Sequence, residues 1–216
     1  MNMSYKTVLS YGCDEFIVNK SRFIGYSRPI NSEEEALKFI DEIKEKHRDA
    51  THNVSAYVFG KNSNIQRFND DGEPSGTAGI PVLEVIKKED LRNTVVVVTR
   101  YFGGIKLGGG GLIRAYTKGA KIGIEASRIV DMIPHQQISL KIDYTSYGKI
   151  ENYLQNNNYN LDEIIYEDRV KIKISVIVDN LDRFLQDIID FTNGDVIIDE
   201  LESFHLPVIN GRTILS

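Results

Sequence analysis

The sequence predicts an α+β protein of two domains, residues 1–135 and 136–216. Three observations predict it. Segments with strand-like and helix-like patterns follow one another in both halves of the 216-residue chain. The hydrophobic content of 41 % is enough for a sizeable core. Pro134 closes the first half, and no long linker separates it from the second.

Strands and two helices are predicted in the first 90 residues. Residues 5–30 alternate apolar and polar positions around short turn signals, which is typical of paired strands. Ser32 is followed three residues later by Glu35, a capping box, so a helix is expected to begin there. Two strands then flank a turn at residues 61–64, and a short helix is predicted over residues 80–89.

The segment NTVVVVTRYF, residues 93–102, is rich in β-branched residues without polar alternation. This pattern predicts a central strand that is buried on both faces. Several glycines follow, and the apolar spacing then predicts a helix from Leu112 to about Arg128. Its small residues Gly119, Ala120 and Gly123 would let one face of the helix pack closely against a sheet.

The second half has the element order β-α-β-β-α-β. Its helices are predicted at about residues 146–155 and 181–191. The second of them has apolar residues at helical spacing, with Gly194 in the position of a C-terminal cap. This element order is that of the ferredoxin-like sandwich, so we expect such a domain over residues 136–216.

Charge is distributed unevenly along the chain. The net charge is −5, yet residues 91–135 carry seven Lys or Arg against two acids, whereas residues 136–216 carry seven against fourteen. A single basic segment in an acidic chain favours attraction of an anion at one place. The acidic second half disfavours binding of nucleic acid there.

Redox and targeting features are few. Cys13 is the one cysteine, so an internal disulfide cannot form, which fits a reducing compartment. The start lacks the apolar core of an export signal, and no apolar stretch approaches the roughly 20 residues of a membrane helix. We therefore expect a cytoplasmic protein without a membrane partner. The sequence does not indicate its oligomeric state.

Glycines and basic residues between positions 100 and 118 form the main candidate site. Glycine lets an anion approach backbone amides closely, and the amides at a helix N-terminus carry partial positive charge, so phosphate is the expected ligand. The alternative is a tight strand-to-helix turn beside a solvated basic helix face. The candidate anion-binding or RNA-binding residues are Arg100, Lys106, Gly108, Gly109, Gly110, Gly111, Arg114 and Lys118.

A second candidate is the acidic segment NDDGEPSGTAG, residues 69–79. Its carboxylates Asp70, Asp71 and Glu73 could bind a cation or act as an acid/base pair. The alternative is an Asp-Gly turn whose charges lie in water. The histidines and the cysteine do not have the spacing of a metal site, so we expect no metal, no cofactor and no catalytic residue.

Four stretches of the chain resemble the IMPACT/YigZ family. They are SRFIG (21–25), HNVSAYVFG (52–60), RFNDDGEPSGTAGIPVL (67–83) and VVVVTRYFGGIKLGGGGLIRAY (95–116). The last two are long enough to be highly specific, and the resemblance to the N-terminal family domain spans residues 15–125. The remainder is similar to the C-terminal domain of the bacterial members, mainly in element order.

The resemblance implies a fold and a cellular role. The first domain would be similar to domain IV of elongation factor G, and the second to the ferredoxin-like domains of that factor. Both are associated with ribosome and RNA contact. Eukaryotic members restrain a stress kinase by competing for its ribosome-associated activator, whereas bacterial members lack an agreed biochemical activity. The resemblance therefore implies translation regulation.

Three functions remain open from the sequence. The preferred one is a non-enzymatic, translation-associated regulator whose basic glycine-rich segment binds RNA, the ribosome or a ribosome-associated protein, with Tyr101 or Tyr116 stacking on bases. The second is an enzyme acting on a phosphorylated small molecule or peptide. It requires the carboxylates of Asp70, Asp71 or Glu73 to lie within about 10 Å of the glycines, as a catalytic constellation does. The third is a protein-interaction adaptor that uses the acidic second domain.

Overall fold

The computed structural model describes residues 3–159 and 161–214. The chain divides into two compact units. We call Tyr5–Val130 the N-terminal unit. The C-terminal unit comprises the described residues from Asp131 onward together with Met3 and Ser4. The division falls inside a strand, and the predicted boundary after residue 135 lies further along that same strand.

The N-terminal unit is built around an antiparallel sheet with helices on both faces. Its elements are β1 (Tyr5–Val8), β2 (Gly12–Val18), β3 (Ser21–Pro29), α1 (Glu33–Lys46), β4 (His52–Phe59), β5 (Ile65–Asn69), α2 (Gly79–Lys88), β6 (Thr94–Tyr101) and α3 (Gly108–Ser127). The sheet order is β2-β3-β6-β4-β5. Helix α1 packs on one face of the sheet, and α2 and α3 pack on the other.

The central strand β6 is buried on both faces, as the sequence predicts. Val95 and Val97 lie in the hydrophobic cluster with α1. Val96 and Val98 lie in the cluster with α2 and α3. One strand therefore joins two cores, which explains its continuous run of β-branched residues.

Helix α1 begins at the predicted capping box. The side chain of Ser32 accepts a hydrogen bond from the amide of Glu35, 3.1 Å away. The carboxylate of Glu35 in turn accepts from the amide of Asn31 at 2.8 Å, one residue before the cap. Two backbone donors at the helix start are thus satisfied.

Helix α3 lies against β3 at the distance that only glycine allows. A Cβ atom at Gly25 would collide with the carbonyl oxygen of Gly119. A Cβ atom at Gly119 would lie 2.6 Å from Val98, and one at Gly123 would lie 2.8 Å from the backbone of Gly25. The predicted small-residue face of the helix is confirmed, and its partner is a glycine on the strand.

The C-terminal unit has one sheet and one hydrophobic core. The elements that build it are β7 (Ile129–Ile142), α4 (Tyr144–Asn156), β8 (Leu161–Tyr166), β9 (Val170–Ile177), a short 3₁₀ helix (Val178–Asn180), α5 (Leu181–Thr192), β10 (Val196–Ile209) and β11 (Arg212–Thr213). The sheet order is β11-β10-β7-β9-β8, and residues of α4 and α5 join the strands in the core. Within the described residues, no helix has the length and apolar character needed to cross a membrane.

His47 links two tyrosine hydroxyls inside the N-terminal unit. Its Nε2 atom lies 2.5 Å from the hydroxyl of Tyr26, and its Nδ1 atom lies 2.8 Å from the hydroxyl of Tyr101. Burial, together with the nearby cations Lys46 and Arg22, holds the pKa of His47 below its usual value. The folded unit therefore favours the neutral imidazole.

Acidification is expected to destabilise the N-terminal unit through this histidine. Below about pH 6.5, the ordinary pKa of histidine, the unfolded chain takes up a proton at His47 more readily than the folded chain does. The free energy of unfolding therefore falls as the pH falls. Urea denaturation between about pH 7.5 and about pH 5.5 measures this fall, and His47→Gln is expected to flatten it. An unchanged pH slope in the variant would contradict the prediction.

Candidate functional site

The four consecutive glycines form the first turn of α3. The helix begins at Gly108, whereas the sequence predicted its start at Leu112. Gly108 has a φ of +68°, a backbone conformation that favours glycine. The residue before it, Leu107, is the N-cap, and none of the described side chains caps the helix there. The helix therefore starts with backbone amides that receive no side-chain acceptor.

This first turn lies at the surface. Gly108, Gly109 and Gly110 are exposed, and Gly111 is half-buried. The first four amides of an α-helix have no partner within the helix, and the helix dipole adds partial positive charge at that end. An anion that approaches from solvent therefore meets unpaired donors without a side chain in the way.

Packing does not require glycine at the middle of this turn. A Cβ atom at Gly109 would lie 3.9 Å from Thr77, and one at Gly110 would lie 3.7 Å from Arg114, both ordinary contacts. A glycine within a helix costs about 0.5–1 kcal/mol relative to alanine. The two glycines are thus tolerated at a cost to stability, which fits a place where another molecule approaches the backbone.

Three cations lie beside these glycines. Lys106, Arg114 and Lys118 are exposed, and none of the described residues forms an ion pair with them. Arg114 and Lys118 are four residues apart and share one side of α3. We call Lys106, Gly108–Gly111, Arg114 and Lys118 the α3 basic surface. Its charges are available to an external anion.

Arg100 is placed differently from the other candidate cations. It is buried, with an exposed fraction of 5 %, and its guanidinium donates a hydrogen bond to the carboxylate of Glu73 at 2.6 Å. The guanidinium also lies 5.5 Å from the ring centroid of Phe23 and 5.3 Å from that of Phe102. Arg100 therefore has an internal counter-charge, and we do not include it in the surface that contacts phosphate.

Tyr116 shares the same carboxylate. Its hydroxyl donates to Glu73 at 2.7 Å, and the side chain is fully buried. Burial and the Glu73 carboxylate raise the pKa of Tyr116 well above its usual value. We call Glu73, Arg100 and Tyr116 the Glu73 cluster. Because Tyr116 is enclosed in this cluster, it cannot stack on a base, and Tyr101 is half-buried with its hydroxyl bonded to His47.

Asp70 caps helix α2. Its carboxylate accepts hydrogen bonds from the backbone amides of Gly76, Ala78 and Gly79, at 3.1, 3.2 and 2.7 Å. The helix has no acid in its first turn and no side-chain cap of its own. A carboxylate from nine residues upstream therefore supplies both the acceptor and the negative charge that the helix start favours.

Asp71 is also used within the protein. It accepts a hydrogen bond from the amide of Asn53 at 2.6 Å and pairs with Lys44 at 3.2 Å. The three acidic candidates therefore all bind groups of the chain itself. Among residues 3–159 and 161–214, no three His, Cys, Asp or Glu side chains are grouped as a metal site.

The acidic segment and the glycine turn are neighbours in space. Thr77, in the same loop as the carboxylates, lies next to Gly109 at the start of α3. The structure thus brings together the two segments that the sequence singled out. The two segments meet at Thr77 and Gly109. The carboxylates of the acidic segment instead cap α2 or form ion pairs within the unit.

Comparison with known proteins identifies the family to which both segments belong. Residues 19–124 match the model of the Impact N-terminal domain, which includes both segments. A Bacillus subtilis protein, IMPACT family member YvyE, is 47 % identical over 203 residues that cover 94 % of each chain. The chain belongs to the IMPACT family.

Other IMPACT family members share both halves of the chain. Residues 140–195 match a domain of unknown function, DUF1949. IMPACT family member YigZ of Escherichia coli is 30 % identical over 181 residues, covering 83 % of this chain and 89 % of the relative. A solved structure titled as a crystal structure of an hypothetical protein superimposes with a TM-score of 0.59 at 28 % identity, covering 94 % of this chain and 99 % of that one.

Proposed function

We propose that this IMPACT family member is a translation-associated regulator that binds RNA through the α3 basic surface. The exposed first turn of α3 is the observation that carries the proposal. Its middle glycines are not required by packing, and three exposed cations that form no ion pair with the described residues lie beside it. Backbone amides, a helix dipole and cations together favour a phosphate group.

The proposed RNA contact uses only part of the predicted residue set. Lys106, Arg114 and Lys118 would neutralise phosphates, and the amides of Gly108–Gly111 would donate hydrogen bonds to phosphate oxygens. Arg100 would hold the strand end in place from inside. No observation favours the enzymatic alternative, because its carboxylates already bind the chain's own amides and cations.

We also propose the finer folds that the resemblance implies. The C-terminal unit would be a ferredoxin-like domain, which the strand order β10-β7-β9-β8 and the common core with α4 and α5 support. The N-terminal unit would be similar to domain IV of elongation factor G. Both folds are compatible with a protein that binds the ribosome or RNA.

Salt dependence is the main test of the proposed function. A phosphate contact releases counterions, so binding to a structured RNA hairpin is expected to weaken steeply between about 50 and about 200 mM salt. In filter binding, Arg114→Gln with Lys118→Gln is expected to reduce the salt slope of log K by about 2, one for each cation that no longer neutralises a phosphate. Binding that is weak and equal at low and high salt would contradict the proposal.

Two further variants complete this experiment. Lys61→Ala removes an exposed lysine at the turn between β4 and β5. Arg100 pairs with the opposite end of β4, so this lysine is distant from the strand end that leads to α3. The variant is expected to leave RNA binding unchanged. Gly109→Ala with Gly110→Ala is expected to stabilise α3 and yet weaken RNA binding, since the new methyl groups stand where phosphate approaches. Unchanged binding in that variant would exclude the glycine turn as the contact.

A further inference from the structure

A groove runs between β2 and the start of α3, on one side of the α3 basic surface. We call it the β2–α3 groove, and its volume is about 340 Å³, within the size range of small-molecule sites. Its side chains come from the end of β2, from the turn after it and from the first turns of α3. The lining includes Phe16, Val18, Asn19, Leu107, Arg114 and Lys118.

The floor of the groove is apolar and rigid. Phe16, Val18 and Leu107 are partly buried and pack against the hydrophobic core of the unit. The ring of Phe16 stacks on Phe23 at a centroid distance of 5.3 Å and an interplanar angle of 9°. Because Phe23 lies in the core, Phe16 is a fixed platform.

The rim of the groove is basic and polar. Arg114 and Lys118 line it, and no acidic residue lines it in the described part of the chain. Asn19 is exposed at the turn between β2 and β3, and its side-chain amide has no hydrogen bond within residues 3–159 and 161–214. An apolar ligand alone would leave the two cations and this amide unused.

We propose that the β2–α3 groove holds one unstacked base of single-stranded RNA. The base would lie over Phe16, the amide of Asn19 would hydrogen-bond to its polar edge, and the adjoining phosphates would lie on Arg114 and Lys118. This inference rests on the proposed function, because it uses two of the same cations. It adds the recognition of a base to the contact with phosphate.

The position of Lys118 supports this arrangement. Its ammonium lies 4.4 Å from the centroid of the Phe16 ring, so the groove face of that ring already attracts a flat, electron-poor or cationic group. Arg114 and Lys118 are one helical turn apart, about 6 Å along the axis. A base can replace the ammonium on the ring while Lys118 turns to the phosphate.

The experiment compares RNAs that differ only in their bases. Fluorescence anisotropy of the full chain would use a labelled single strand of about 12 nucleotides, the same strand with abasic sites, and its duplex. At one salt concentration the abasic strand and the duplex are each expected to bind about tenfold more weakly than the intact strand. Equal affinity for intact and abasic strands would overturn the base site and leave the phosphate contact standing.

Variants separate this inference from the proposed function. Asn19→Gly removes the amide and keeps the left-handed backbone of the turn, where Asn19 has a φ of +46°. It is expected to weaken binding of the intact strand and to leave the abasic strand unaffected, whereas Arg114→Gln weakens both. Lys61→Ala should change neither. If Asn19→Gly affects both strands equally, the base site is wrong. If a polyglutamate peptide competes as well as the intact strand, the groove binds acidic protein and the RNA assignment is overturned.

Discussion

Replacing Glu73 with alanine is expected to lower the free energy of unfolding of the N-terminal unit by about 3–5 kcal/mol. The side chain of Glu73 is 3 % exposed, and its carboxylate accepts hydrogen bonds from Arg100 and Tyr116. Its removal leaves a buried guanidinium without a counter-charge and a buried hydroxyl without an acceptor. The chain has no tryptophan, so urea denaturation is best followed by circular dichroism, with amide hydrogen exchange assigning the transition to this unit.

Glu84 provides the matched control for this substitution. It also pairs with a cation, Lys87 at 2.6 Å, but the two side chains are 59 % and 43 % exposed. Glu84→Ala is therefore expected to cost no more than about 1 kcal/mol. If Glu73→Ala cost as little as Glu84→Ala, the Glu73 cluster would not be the internal support of β6 and α3 that we describe.

Gly25→Ala is expected to be the second strongly destabilising change, with a loss of about 1–3 kcal/mol or more from overpacking. The new methyl group would collide with the carbonyl oxygen of Gly119, a backbone atom that cannot move unless α3 moves away from the sheet. Thermal and urea unfolding measure the loss. The substitution makes no change in charge, so the effect reports only the spacing of β3 and α3.

Gly148→Ala provides the control of opposite sign. Gly148 lies within α4, and a Cβ atom there would meet nothing within 4 Å. The same chemical change is therefore expected to stabilise the C-terminal unit by about 0.5–1 kcal/mol, because alanine is the better helix former. If Gly25→Ala raised the free energy of unfolding as Gly148→Ala is expected to do, the close contact between α3 and β3 would be contradicted.

Elements with a strong local signal could be predicted from the sequence. The capping box of Ser32 places the start of α1 correctly, and the β-branched run marks β6 as the central strand. The start of α3 could not be placed in this way. Glycine is a poor helix former, so propensity assigns Gly108–Gly111 to a loop. In the folded unit these four glycines form the first turn of the helix.

The internal partners of the candidate site depend on contacts between distant positions. Glu73 meets Arg100 from 27 residues away and Tyr116 from 43 residues away. One available signal was the place of Arg100 in a strand that is otherwise buried on both faces, where a charge requires a counter-charge. Asp70 had a similar signal, since the helix it caps has Ala78 at its N-cap, a residue whose side chain cannot accept a hydrogen bond.

The passage of β7 from one unit into the next has a practical consequence for anyone who divides the chain. Asp131–His135 pair with Phe204–Val208 of β10. A fragment that begins at residue 136 would leave that part of β10 with bare main-chain groups along one side. The unpaired side of a strand can form hydrogen bonds with strands of neighbouring molecules, which promotes aggregation. A fragment that begins at or before Asp131 keeps this part of β10 paired with β7.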